Sequence, residues 1–143
     1  MTAPDEHLAD TSVLVHAERE DFDFALWLSP DDEIFICGAT AAEFLAGQPL
    51  KDEGKRKRWR EFWESLDIPA RPLTNEVCQQ AGHLIFLARS KGRTVPLGDG
   101  LHAAVAELDG LKVLTTDREH FADMGVSAVN PLLEKPPGQH STG

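Results

Sequence analysis

Short continuous apolar runs alternate along the chain with longer stretches in which apolar residues recur every three or four positions, and that change of period predicts strands interleaved with helices. Leu8 to Asp10 reads as a short first strand, followed by a helix from Thr11 to about Glu20 and another around Phe22 to Leu28. Glu33 to Cys37 is a second strand built on Ile34, Phe35 and Ile36, and Thr40 can cap the helix that carries Glu43. The segment rich in lysine and arginine makes a helix ending near Leu66, and Pro69 and Pro72 fall in a connector. Thr74 opens a helix with Val77, Ala81, Leu84, Ile85 and Ala88 at helical spacing, stopped by Lys91-Gly92. Asp99 begins a helix bearing Leu101, Ala104, Val105 and Leu108 that ends at Gly110. Lys112 to Thr115 is a strand, and Val126 to Val129 a last one. The order implies an α/β fold with a central, mainly parallel sheet.

Length adds that the core belongs to one domain, expected over residues 1–134, because 143 residues suit a single hydrophobic core. Residues 135–143, from Lys135-Pro136-Pro137 onward, lack an apolar pattern and are expected to be a disordered tail. No apolar run approaches the roughly 20 residues of a membrane helix, and no secretion signal opens the chain. Cys37 and Cys78 lie in apolar segments and read as small core residues of a protein in a reducing cytoplasm.

Charge changes the picture locally. A net charge of −10 opposes binding of nucleic acid over the whole surface, yet six of the fourteen basic residues fall between Lys51 and Arg60. Arg56, Lys57, Arg58 and Trp59, with Phe62 and Trp63, give that helix a basic face and an aromatic face. Arg56, Lys57, Arg58 and Trp59 are expected on an RNA or partner surface, with a solvated face as the alternative for the basic side; the aromatic side is a groove or core.

Four acids stand where strands hand over to helices, namely Asp10, Glu43, Asp99 and Asp117. Each aspartate taken alone reads as a helix cap, but Glu43 lies inside its helix and a parallel sheet brings all four to one edge. Carboxylates that converge repel one another unless a cation sits among them, which points to a hard divalent ion such as Mg²⁺ or Mn²⁺. Zinc is not indicated, since the histidines and cysteines show none of its usual spacings. Ser12 and Thr115 either orient water or phosphate by hydrogen bonding or merely cap local structure. His102 reads as helix packing or a contact on the substrate side, and His120 as a surface residue near the acids.

Asp10-Thr11-Ser12-Val13-Leu14-Val15, Ala41-Ala42-Glu43-Phe44-Leu45-Ala46-Gly47, Gly98-Asp99-Gly100-Leu101-His102-Ala103-Ala104 and Leu114-Thr115-Thr116-Asp117-Arg118-Glu119-His120-Phe121 together resemble the PIN-domain family, and within it the VapC-type ribonuclease toxins. The polar Pro4-Asp5-Glu6-His7 departs from the apolar opening usual for the first strand. The resemblance implies a three-layer α/β/α domain whose Asp10, Glu43, Asp99 and Asp117 hold Mg²⁺, with Mn²⁺ as substitute, for endonucleolytic cleavage of RNA by metal-activated water. It further implies a homodimer silenced by a small antitoxin, with the helices bearing Phe44, Leu45, Trp59, Phe62 and Trp63 as the candidate groove. A PIN-like scaffold that binds RNA or protein without cleaving is the other reading.

Overall fold

Residues 5–134 are described by the computed structural model. Five parallel strands form one sheet in the order β3-β2-β1-β4-β5. They are β1 (Glu6–Ala9), β2 (Glu33–Cys37), β3 (Ala70–Arg71), β4 (Lys112–Leu114) and β5 (Ala128–Val129). The helices are α1 (Thr11–Glu18), α2 (Phe24–Trp27), α3 (Gly38–Ala46), α4 (Glu53–Ser65), α5 (Asn75–Ser90), α6 (Leu97–Asp109) and α7 (Arg118–Asp123). The expected tail at 135–143 lies outside the described residues.

Strands buried on both faces need apolar side chains on both, and the alternation along β1 and β2 divides them between two layers of helices. Leu8, Phe35, Cys37 and Val113 pack with Val77, Ala81, Leu84 and Ala88 of α5 and with the small residues Ala103, Ala104 and Ala106 of α6. On the other face, Ala9, Ile34 and Ile36 meet Leu14 of α1, Phe44 of α3 and Trp59 of α4. The result is a three-layer α/β/α domain. Its helix ends follow local chemistry: Thr74 accepts a hydrogen bond from the Val77 amide at 3.1 Å to start α5, and Gly110 takes the left-handed conformation (φ 70°) that ends α6.

Several boundaries differ from the sequence-based expectation. The first strand begins at Glu6 and buries His7 completely, because register with Glu33 and Ile34 extends pairing through the polar opening. The connector between the prolines contains β3, an edge strand that tolerates a flanking proline since its outer side has no ladder to serve. Thr40 does not start α3; Cys37 holds the cap position, and the Thr40 hydroxyl reaches back to accept from the Cys37 amide at 3.1 Å. The last strand is confined to Ala128–Val129. Cys78 is exposed, on the side of α5 away from its buried Val77–Ala81–Leu84–Ala88 stripe, whereas Cys37 is in the core. No described helix is long and apolar enough to cross a membrane.

Candidate metal centre

Parallel pairing of Ala9 with Leu114 makes β1 and β4 end side by side, and the Asp10 amide continues the ladder by donating to the Leu114 carbonyl at 2.9 Å. Asp10 and Thr115 therefore emerge together beyond the carboxyl edge of the sheet, the place where open parallel sheets gather functional groups. Asp10 is buried and caps α1: one carboxylate oxygen accepts from the Thr11 amide at 2.8 Å. Its other oxygen accepts from Thr115 Oγ1 at 2.8 Å and Ser12 Oγ at 3.2 Å. Ser12 Oγ also accepts from the Thr116 amide at 3.1 Å, so both hydroxyls tie β4 to α1 while they aim Asp10.

Glu43 reaches the same place from within α3, where Thr11 Oγ1 donates to its Oε1 at 2.7 Å. The space it occupies exists because residue 98 is a glycine and has no side chain. Asp99 is the third residue of α6, whose cap position is Pro96, so its carboxylate is not engaged in capping. It is buried, and His120 Nδ1 lies 2.6 Å from its Oδ2. Burial and the nearby Asp10 carboxylate raise the Asp99 pKa; His120 opposes the shift and Asp117 adds to it. Asp117, exposed at the cap position of α7, also makes no capping bond with its side chain. Its amide donates to Thr115 Oγ1 at 3.0 Å. Of the three aspartates only Asp10 caps a helix through its carboxylate.

Ligand atoms of Asp99, Asp117 and His120 lie within 4.8 Å of one another, as do those of Asp10, Glu43 and His102. His102 is fully buried beneath the acids, with Nδ1 at 2.7 Å from the Gly98 carbonyl and Nε2 at 2.7 Å from Thr40 Oγ1. Burial works against a charge on His102, but Cys37, the Asp10 carboxylate and the Gly98 carbonyl outweigh it and raise the pKa to about 9. Its Nδ1 stands 3.6 Å from Asp10 Oδ1 and 3.9 Å from Glu43 Oε1. The imidazolium so offsets part of the acidic charge. Apart from His120, which is held against Asp99, the other donors are carboxylate and hydroxyl oxygens, a set that fits a hard divalent cation, and such an ion would relieve the burial and like-charge cost expressed in the raised Asp99 pKa. His102 and His120 lie beside the acids, where the sequence set them, but their partners belong to distant segments, and Thr11 joins through a contact with Glu43 that the sequence did not mark.

The basic block lies on α4. Arg56 Nη1 donates to the Leu50 carbonyl at 3.2 Å, Lys57 faces Glu61 at 3.9 Å, and Arg58 is exposed. Arg58 and Lys55 border a groove that Glu18, Glu20 and Glu61 also line, so its charge is mixed. Trp59, expected on an RNA or partner surface, is instead buried: its ring stacks on Phe44 with centroids 4.3 Å apart, and Nε1 donates to the Phe44 carbonyl at 2.8 Å. Phe44 itself is fully buried, so this pair is core, because the apolar side of α4 has to cover α3.

A family model described as the PIN domain matches residues 8–126. The plasmid stability protein StbB of Pseudomonas syringae pv. tomato is 29% identical over 134 residues, covering 87% of this chain and 96% of that protein. VapC ribonuclease Y4jK of Sinorhizobium fredii is 25% identical over 132 residues, covering 85% of this chain and 94% of its own length. Among solved structures, Rickettsia felis VapBC2 bound to a DNA fragment from their promoter superposes with a TM-score of 0.71 at 19% identity, covering 87% of this chain and 98% of that one.

Proposed function

The chain belongs to the PIN-domain family, and from that premise we propose that it is a Mg²⁺-dependent endoribonuclease, with Mn²⁺ as a substitute ion, serving as the toxin of a toxin–antitoxin pair. What supports this reading is that Asp10 with Glu43 and Asp99 with Asp117, carried by four separate elements, form two acidic groups, and that Asp10 and Asp117 both disfavour ionisation of Asp99. Nothing in packing calls for that arrangement, since Asp99 and Asp117 do not cap their helices and the burial of Asp99 is electrostatically unfavourable.

In this reading Asp10, Glu43 and Asp99 hold the ion directly or through water, and Asp117 completes the set at the exposed side. A bound divalent cation supplies Lewis acidity toward the scissile phosphate and ionises water near neutral pH. The chain's own part is to fix the donors. Ser12 and Thr115 aim the Asp10 carboxylate, and Thr11 does the same for Glu43. His120, against Asp99 and close to solvent, is placed to steady a phosphate oxygen of the substrate.

RNA is the substrate in this reading because the relative Y4jK is named a VapC ribonuclease. Arg56, Lys57 and Arg58 would supply phosphate contacts along α4 or meet acidic groups of the partner. An antitoxin partner completes the assembly in this reading, since members of the VapBC family of toxin-antitoxin systems share the fold; an antitoxin seated over the site and a homodimer rest on the family resemblance alone. Incubation of the purified protein with single-stranded RNA and Mg²⁺ tests the proposal: cleavage should stop with excess chelator and in Glu43→Gln. Cleavage that persists in both refutes it.

A further inference from the structure

A second cluster lies at the opposite, amino-terminal edge of the sheet, three residues back along β1 from Asp10 and hence about 10 Å away. It consists of Asp5, His7 and Asp32, whose ligand atoms all lie within 4.8 Å of one another. His7 carries the case. Its side chain is wholly buried, wedged edge-on against Trp27 with ring centroids 5.4 Å apart, and neither ring nitrogen has a hydrogen-bond partner among the described residues. A buried imidazole with both nitrogens unsatisfied forfeits the hydrogen bonds it would make to water, so native proteins rarely tolerate it.

Nε2 nevertheless points at Asp32, at 3.5 Å from Oδ2, beyond the 2.7–3.2 Å typical of a hydrogen bond. That spacing suits a shared ion: two ligands each about 2.0–2.1 Å from a tetrahedral cation stand about 3.4 Å apart. Asp32 cannot drift. The Asp5 amide donates to its Oδ1 at 3.0 Å and the Ser29 amide to its Oδ2 at 3.1 Å, so the carboxylate is fixed before any ion arrives. The Asp5 carboxylate, the third donor, also accepts from Lys112 Nζ at 2.8 Å on Oδ1, which tempers the site's charge.

We propose that Asp5, His7 and Asp32 form a binding site for a borderline divalent cation of the Zn²⁺ type, with one imidazole nitrogen, two carboxylate oxygens and water as ligands. An imidazole ligand selects such an ion over Mg²⁺, and His7 has both nitrogens unpartnered among the described residues, whereas His102 and His120 at the other edge are hydrogen-bonded to Gly98, Thr40 and Asp99. The ion would clamp the start of β1 to the α2–β2 turn, joining residues 27 positions apart in the chain.

Calorimetric titration of Zn²⁺ into the full chain, in excess Mg²⁺, tests this. One Zn²⁺ should bind, with affinity lowered at least about tenfold in His7→Gln and in Asp5→Asn and unchanged in Glu43→Gln and His120→Ala. Asp5 is partly exposed, so its variant keeps the test decisive should the substitution of buried His7 impair folding. No Zn²⁺ binding, equal binding in Asp5→Asn, or loss of binding in Glu43→Gln or His120→Ala instead, overturns the proposal.

Discussion

A methyl group on Gly98 would stand 2.1 Å from Oε2 of Glu43, so the presence of glycine at 98 and the position of the Glu43 carboxylate are one structural fact. The obstructing atoms are the far end of a flexible side chain, which can swing away at little cost to the fold. Gly98→Ala should therefore leave the melting temperature equal or slightly higher, since alanine within a helix gains about 0.5–1 kcal/mol over glycine. Cleavage should fall about 100-fold, because a donor displaced by an ångström spoils the reacting geometry. Parallel thermal melts and cleavage assays check both halves; a fall in stability with activity retained contradicts the assignment.

Asp99→Asn isolates the effect of the Asp99 charge, since its carboxylate caps no helix. The folded-state pKa of Asp99 is raised, so its ionised form is disfavoured in the fold, and that penalty grows as pH rises through the folded value and vanishes below the unfolded one. Without metal the variant should be more stable than the parent at pH 7 and no different at pH 3. With Mg²⁺ the parent should gain the more, as only it keeps every donor. Cleavage should drop by at least about 100-fold. Urea unfolding at the two pH values, with and without Mg²⁺, reads the sign directly.

Trp59→Ala should unfold the protein more easily by about 3–5 kcal/mol, the usual cost of emptying an aromatic site in a core. Trp59→Phe keeps most of the stack on Phe44 and forfeits the hydrogen bond to its carbonyl, at a cost of about 1 kcal/mol. Where folded, both should bind RNA as the parent does. A variant of parental stability with weakened RNA binding would return Trp59 to the surface role expected of it from sequence.

Replacing Arg56, Lys57 and Arg58 together by glutamine removes up to three phosphate contacts while leaving the acids untouched. The dependence of log affinity for single-stranded RNA on log salt should become shallower by about 2. An unchanged slope with weakened antitoxin binding assigns the helix to the partner; an unchanged slope and unchanged partner binding make it a solvated face.

The parts of the fold and site that were legible in the sequence are those set by local pattern. The continuous apolar run Ile34-Phe35-Ile36 and the stripe of α5 read as strand and helix directly, and the acids were visible because the three aspartates sit close to element boundaries while Glu43, inside its helix, cannot be a cap. What was not legible depends on contacts between segments far apart. Nothing near His102 announces that Thr40, 62 positions away, would bond its ring, nor does Asp117 announce that His120 turns back onto Asp99. Trp59 failed for a related reason: an amphipathic helix shows which face is apolar but not whether that face meets another helix or solvent. His7 looked like an interruption of the first strand, since pairing with β2 is supplied by residues more than twenty positions on.

In the proposed reaction Asp10, Glu43, Asp99 and Asp117 would hold a divalent ion, and water rather than the RNA's own 2′-hydroxyl would be the attacking group. Mapping the ends of the products made by the purified protein in Mg²⁺ tests it most directly. Attack by water leaves 5′-phosphate and 3′-hydroxyl ends, and their formation should cease in chelator. Products ending in a 2′,3′-cyclic phosphate, formed as readily in chelator as in Mg²⁺, would contradict this reaction and assign the chemistry to the histidines.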